Sequence, residues 1–290
     1  MFIDVGGRRL EVLVAGPDGG PVLVLHLGTP AGPVDTPVIT GPAAERGLRT
    51  VICARPGYAG STPRPGRTVA DVAEDVTAVL DRLGADRFVT LGWSGGGPHA
   101  LACAALLPGR CAAAATLAGV APYGAAGLDW LAGMGPENVE EFGAAAAGPE
   151  ALEAFLDRAA AGLAAVSGDE VAAALGGLAS PVDAAALTGA FAESLAAGFR
   201  SAVSSGTAGW RDDDLAFVRP WGFDPSAIAV PVVVWQGGQD RMVPPGHGEW
   251  LATHVPGARA RLDPDAGHIS MAGEAGALLD DLLSSAGWTR

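Results

Sequence analysis

Lysine is absent from all 290 residues, so the 18 basic residues are all arginine, set against 32 acidic ones. The formal net charge of -14 repels phosphate backbones and anionic headgroups, which argues against nucleic acid and anionic membranes as partners. Small neutral or cationic ligands remain open. Cysteine is scarce: Cys53, Cys103 and Cys111 are odd in number, form no C-x-x-C pair and lie in apolar surroundings. They read as buried small hydrophobes, not as a disulfide framework or metal site. No apolar run is long enough to span a bilayer, and Met1-Phe2-Ile3-Asp4 lacks the basic-then-apolar pattern of a secretion signal. A soluble, cytoplasmic protein is expected. H-E-x-x-H is missing, and the glycine runs complete neither a dinucleotide nor a P-loop fingerprint. Neither metal nor organic cofactor is implied.

What the chain has in abundance is apolar surface: hydrophobic residues make up 49% and charged residues 17%, enough for an extensive core in one large α/β domain with an insertion, or in two small domains. Phe2–Val5 and Leu10–Val14 flank Gly6-Gly7 as a hairpin. Near-continuous apolar runs at Pro21–Leu27, Thr50–Ala54 and Val230–Trp235 fit strands buried on both faces of a parallel sheet. Cys111–Leu117 reads as another strand despite its alanines, and Ala258–Leu262 as a short one. Helices are expected around Ala43–Arg46, over Val69–Leu83 with Asp71, Glu74, Asp75 and Asp81 outward, near Gly246–His254, and over Ala272–Ala286. Between residues 121 and 220 the texture changes to alanine- and glycine-rich helical pieces: Val139–Ala147, Pro149–Leu163, Asp169–Leu175 and Val182–Phe199. The expected architecture is a mostly parallel central sheet with helices on both faces, formed by residues 1–120 and 221–290, with 121–220 as an inserted helical domain.

The stretch Arg87–His99 carries the chemistry. Strand-forming residues stop at Gly92, Ser94 follows, three glycines come next, and Ala100–Leu107 reads as helix. Gly92-x-Ser94-x-Gly96 fits the nucleophile elbow, in which side chains two residues either side of the serine would clash. The plain alternative is a turn serine capping the next helix. A serine nucleophile needs a base within hydrogen-bond reach and a third group to orient that base. His268 follows the strand ending near Leu262, and Asp240 follows the strand ending at Trp235. The order Ser, Asp, His is that of the α/β-hydrolases. Asp240 could instead cap the next helix, but the rival position for the acid, the loop after Leu117, offers no Asp or Glu before Asp129.

On these motifs, in matching order over nearly the whole length, the chain resembles the α/β-hydrolase fold superfamily, in the branch with a helical cap inserted after the sixth strand. The Arg55–Ser61 loop resembles that family's loop after strand four, and Gly28-Thr29-Pro30 its oxyanion loop, where a histidine usually precedes the glycine; Leu27 takes that place and His26 comes one residue earlier. The resemblance implies an oxyanion hole from the backbone N–H groups of Gly95 and Thr29. Trp93, beside the nucleophile, and His26, at a strand end near the loop, are candidates for the substrate pocket; Arg55 is read first as a residue that orients a loop. The expected activity is serine hydrolysis of an ester, lactone, thioester or activated amide through an acyl-enzyme, with a small to medium uncharged small-molecule substrate. A cofactor-free perhydrolase using the same residues, carbon–carbon bond hydrolysis, and a ligand-binding protein on the same fold are the alternatives.

Overall fold

A computed structural model describes residues 1–288. Eight strands form one sheet in the order β1-β2-β4-β3-β5-β6-β7-β8. The chain opens with the expected hairpin, β1 (Phe2–Val5) and β2 (Arg8–Ala15), and β2 also pairs antiparallel with β4 (Arg49–Cys53). From β4 onward every pairing is parallel: β3 (Val22–His26), β5 (Phe88–Trp93), β6 (Cys111–Leu117), β7 (Val232–Gly237) and β8 (Arg259–Asp263). All residues of β3, β5, β6 and β7 are buried, which is why their sequences run apolar without alternation.

Successive side chains on these strands point to opposite faces and build two cores. Val22, Val24, Phe88, Val232 and Val234 pack under α2 (Val72–Leu83), α3 (Gly97–Leu106) and α10 (Pro245–His254). Leu23, Leu25, Val89, Leu91 and Trp235 pack under α1 (Pro37–Glu45) and α11 (Ala275–Ser285). Helix α1 is longer than Ala43–Arg46 because it accommodates Pro42 internally. Asp75, expected to face outward, is buried; the Arg8 guanidinium reaches it from β2 at 2.7 Å.

Between β6 and β7 run six helices: α4 (Pro136–Ala147), α5 (Pro149–Leu163), α6 (Val171–Ala174), α7 (Pro181–Ala186), α8 (Gly189–Val203) and α9 (Ala208–Phe217). The single helix expected over Val182–Phe199 is two, parted at Leu187–Thr188, where Gly189 takes φ +50°. Helix α9 is an addition to the expected set. This insertion has its own apolar cluster, in which Leu152, Leu156, Ala202 and Trp210 close on Ala54 and Tyr58 of the core. No helix among the described residues is long and apolar enough to cross a membrane.

Strand register sets up the site. His26 pairs with Gly92, Trp93 with Leu117, and Leu117 with Trp235, so the carboxyl ends of four strands lie level beneath the insertion. In open parallel sheets ligands bind at that edge.

Candidate active site

The turn after β5 is as tight as its glycines suggest. Ser94 has φ +56°, a left-handed conformation that costs a residue other than glycine about 1–3 kcal/mol. Two close approaches enforce it. A Cβ on Gly92 would sit 2.2 Å from the Gly96 carbonyl oxygen, and one on Gly96 would sit 2.0 Å from that of His26. The turn passes through Ser94–Gly96 directly into α3, so the amino end of that helix faces the serine.

Ser94, Thr29, Trp93 and His268 line one cavity of about 580 Å³ between the sheet edge and the insertion. His268 is brought there by the loop after β8. Its Nδ1 lies 2.8 Å from Asp240 Oδ2, with both side chains buried. The other Asp240 oxygen accepts the backbone N–H groups of Met242 and Val243, each at 2.8 Å, and Gln236 Nε2 donates to Oδ2 at 3.2 Å. Burial pushes the imidazole toward its neutral form, but the carboxylates of Asp240 and Asp183 outweigh it and raise its pKa above the ordinary value. Trp93 both packs and lines the cavity: its ring stacks on those of His268 and Phe191, and its Nε1 donates to the His268 carbonyl at 3.2 Å.

Thr29 and Gly95 are immediate neighbours, since a Cβ on Gly95 would meet Thr29 Oγ1 at 2.5 Å. The Thr29 loop is held by Arg55, which is buried and does not line the cavity. Arg55 donates to the carbonyls of Leu27 and Gly28, at 2.7 and 2.8 Å, and to Thr29 Oγ1 at 2.9 Å. Asp213 of α9 balances its charge. That carboxylate, 0% exposed, accepts from Arg55 at 2.6 Å, Arg67 at 2.7 Å, Tyr58 at 2.9 Å and Thr29 at 2.9 Å. Burial pushes its pKa up, yet the two guanidiniums reverse this and hold it well below the ordinary carboxylate range.

His26 is not a pocket residue. Its side chain leaves the strand on the α3 face, stacks on His99 and lies 3.7 Å from Cys103 Sγ, while Leu27, one residue on, lines the cavity. Burial, aided by the nearby charge of Arg55, lowers its pKa to about 3, so it stays neutral.

The insertion supplies an apolar wall that includes Phe155, Leu163, Leu195 and Phe199, and a polar one with Glu141, whose carboxylate accepts Trp210 Nε1–H at 2.6 Å. Asp214 lies behind Glu141, fully buried. Two aspartates that hold core loops, Asp183 and Asp213, went unread in the sequence. Ser180-x-x-Asp183 signals a helix start but not its partner, and Arg211-Asp212-Asp213-Asp214 looks like a solvated charge run. Among the described residues, no group of three or more His, Cys, Asp or Glu side chains is arranged to hold a metal ion.

A search of curated proteins gives no significant match. Among solved structures, an enol-lactonase from Burkholderia xenovorans LB400 superposes with TM-score 0.68 at 20% identity over 98% of this chain and 99% of its own. The esterase RhEst1 from Rhodococcus sp. ECU1013 gives 0.66 at 22% over 99% and 97%, and an alpha/beta hydrolase fold protein from Nakamurella multipartita 0.65 at 25% over 99% of each. The model of the alpha/beta hydrolase fold family matches residues 21–275. With sheet order, elbow and family model in agreement, the chain belongs to the alpha/beta hydrolase fold family.

Proposed function

We propose that the protein is a serine hydrolase that cleaves esters or lactones through an acyl-enzyme on Ser94. The observation that carries this reading is the shared cavity: Ser94, held at positive φ on its elbow, opens to the same space as His268, whose Nδ1 is bound by buried Asp240. His268 Nε2 takes the Ser94 proton as Oγ attacks the carbonyl carbon. The oxyanion is met by the backbone N–H groups of Gly95 and Thr29, each such donor being worth about 3 kcal/mol at the transition state. Collapse of the tetrahedral species breaks the acyl–oxygen bond, and the imidazolium protonates the departing alkoxide. A water then gives a proton to His268 as it attacks the acyl carbon; collapse breaks the acyl–Oγ bond, the imidazolium returns the proton to Ser94 Oγ, and the acid leaves. Asp240 fixes the tautomer and stabilises the imidazolium.

Residues 121–220 act in this reading as a cap that encloses the substrate. A cavity of about 580 Å³ with one apolar wall suits a medium-sized uncharged acyl group. The esterase and enol-lactonase among the structural neighbours support the ester and lactone classes.

The test is labelling with a fluorophosphonate probe alongside hydrolysis of nitrophenyl esters of graded chain length. Wild type should be labelled, Ser94→Ala should not, and Ser94→Ala should lose kcat by about 10⁶-fold, the size expected when a nucleophile acting as a unit with its base is removed. Retained labelling in Ser94→Ala overturns the assignment.

A further inference from the structure

Helix α7 spans only Pro181–Ala186, yet it buries a carboxylate completely: Asp183 is 0% exposed. Its acceptors are used on main-chain donors of a distant loop. Oδ1 takes the N–H groups of Ile269 and Ser270, each at 2.8 Å; Oδ2 takes the N–H of His268 at 3.1 Å and the Ser180 hydroxyl at 2.8 Å. Gly267 lets the loop come this close, for a Cβ there would stand 2.4 Å from both carboxylate oxygens. A cradle of successive N–H groups suits an anion. Ser180 alone can cap α7, so the buried charge serves the loop more than the helix.

His268 is thus held from three directions. Asp240 fixes its ring, Trp93 of the elbow binds its carbonyl, and Asp183 of the insertion binds its N–H and the two that follow. Two of these ties belong to the core and the third does not. We propose that Asp183 is a positioning residue, which makes the working placement of His268 conditional on the helical insertion being seated on the core. The inference rests on the reading of His268 as the base. An insertion displaced from the core takes Asp183 with it and strands three main-chain donors, leaving the backbone of the base to the Trp93 tie.

Asp183→Asn is the direct test. It keeps the shape and one acceptor, but turns an amide NH₂ toward a main-chain N–H and removes the charge. Measured on a nitrophenyl ester, kcat should fall about 10²-fold, the loss that a misplacement of about 1 Å brings, with KM little changed. The charged groups acting on the ring are Asp240 and Asp183, both of which favour the imidazolium, so losing one should move the acid limb of kcat/KM to lower pH. Gly267→Ala separates position from charge: its Cβ displaces the carboxylate without neutralising it, and kcat should fall with a smaller shift of the limb. It also carries the test if Asp183→Asn fails to fold. A substrate-free readout is the downfield proton resonance of His268 Nδ1–H in its hydrogen bond to Asp240, sharp in wild type and broadened in both variants. This signal stands even if Ser94 proves not to be a nucleophile, which separates the two proposals. Wild-type kcat, acid limb and resonance in a folded Asp183→Asn, or wild-type kcat and resonance in Gly267→Ala if the Asn variant does not fold, overturn the inference.

Discussion

Replacing Asp213 by alanine tests whether the cluster behind the Thr29 loop is held by its charge. The substitution leaves two guanidiniums, Arg55 and Arg67, at 4% and 3% side-chain exposure with their carboxylate gone. Removing one partner of a buried ion pair costs about 3–5 kcal/mol, because the remaining charge stays desolvated. With two cations stranded, and Tyr58 and Thr29 each losing an acceptor, the upper end of about 5 kcal/mol is expected. At about 2–4 °C per kcal/mol this lowers Tm by about 10–20 °C. Urea unfolding followed by the fluorescence of the seven tryptophans measures it. Asp213→Ala combined with Arg67→Met should lose less than the sum of the single changes, since one stranded cation is removed with its acceptor. The pH dependence has a definite sign. The folded pKa of Asp213 is lowered, so its contribution is fully present above the unfolded value of about 3.9 and is lost as pH falls toward the folded one. The stability gap between wild type and Asp213→Ala should therefore persist from about pH 8 to pH 5 and close only in acid. A loss below about 1 kcal/mol at neutral pH, or a gap that closes between pH 8 and 5, refutes the argument.

Activity should respond to His268 in the opposite pH range. Because Asp240 and Asp183 outweigh burial and raise its pKa, the acid limb of kcat/KM should have its midpoint above the ordinary imidazole value of about 6.5; a midpoint at or below that value, in a profile from pH 5 to 9, counts against the site as described. The stability this pair contributes is complete below that value and declines as pH rises through the folded pKa. Asp214 and Glu141 are both raised, Glu141 to about 6, first by burial, so folding retains a proton that the unfolded chain releases above about pH 4. Asp214→Asn needs no such proton and should be more stable than wild type at pH 8, with the advantage shrinking toward pH 5; urea midpoints that differ equally at both pH values would refute this.

What the sequence disclosed and what it hid follow from how local each signal is. The strands at Val22, Phe88 and Val232 were legible because burial on both faces leaves runs with no polar interruption. The elbow was legible because close backbone approaches, of the Gly96 carbonyl to Gly92 and of the His26 carbonyl to Gly96, admit only glycine at these two positions. Asp240 and His268 were singled out by chain order, and the His268 ring and the Asp240 carboxylate lie 2.8 Å apart. The misreadings concern charges neutralised from afar. Asp75 has a helix-surface spacing, and the Arg8 that meets it in its buried position comes from 67 residues away. Asp213 went unread for the same reason: nothing local marks it as buried, and its partners Arg55 and Arg67 come from a loop about 150 residues earlier. His26 failed for a simpler reason: alternation along β3 sends it to the α3 side, while Leu27 faces the cavity.

That the acceptors serving two core loops lie inside the insertion determines how this fold can be recombined. Exchanging residues 121–220 for a foreign helical block would remove Asp183 and Asp213 together, leaving Arg55 and Arg67 without their carboxylate and the His268–Ser270 N–H groups without their acceptor. Such a chimera would fail by unfolding, not by changed selectivity. Diversity confined to cavity-facing positions of α5 and α8, such as Phe155, Leu163, Leu195 and Phe199, leaves both anchors in place. Substrate preference can drift there while the core keeps its fold, provided that positions 183 and 213 stay aspartate.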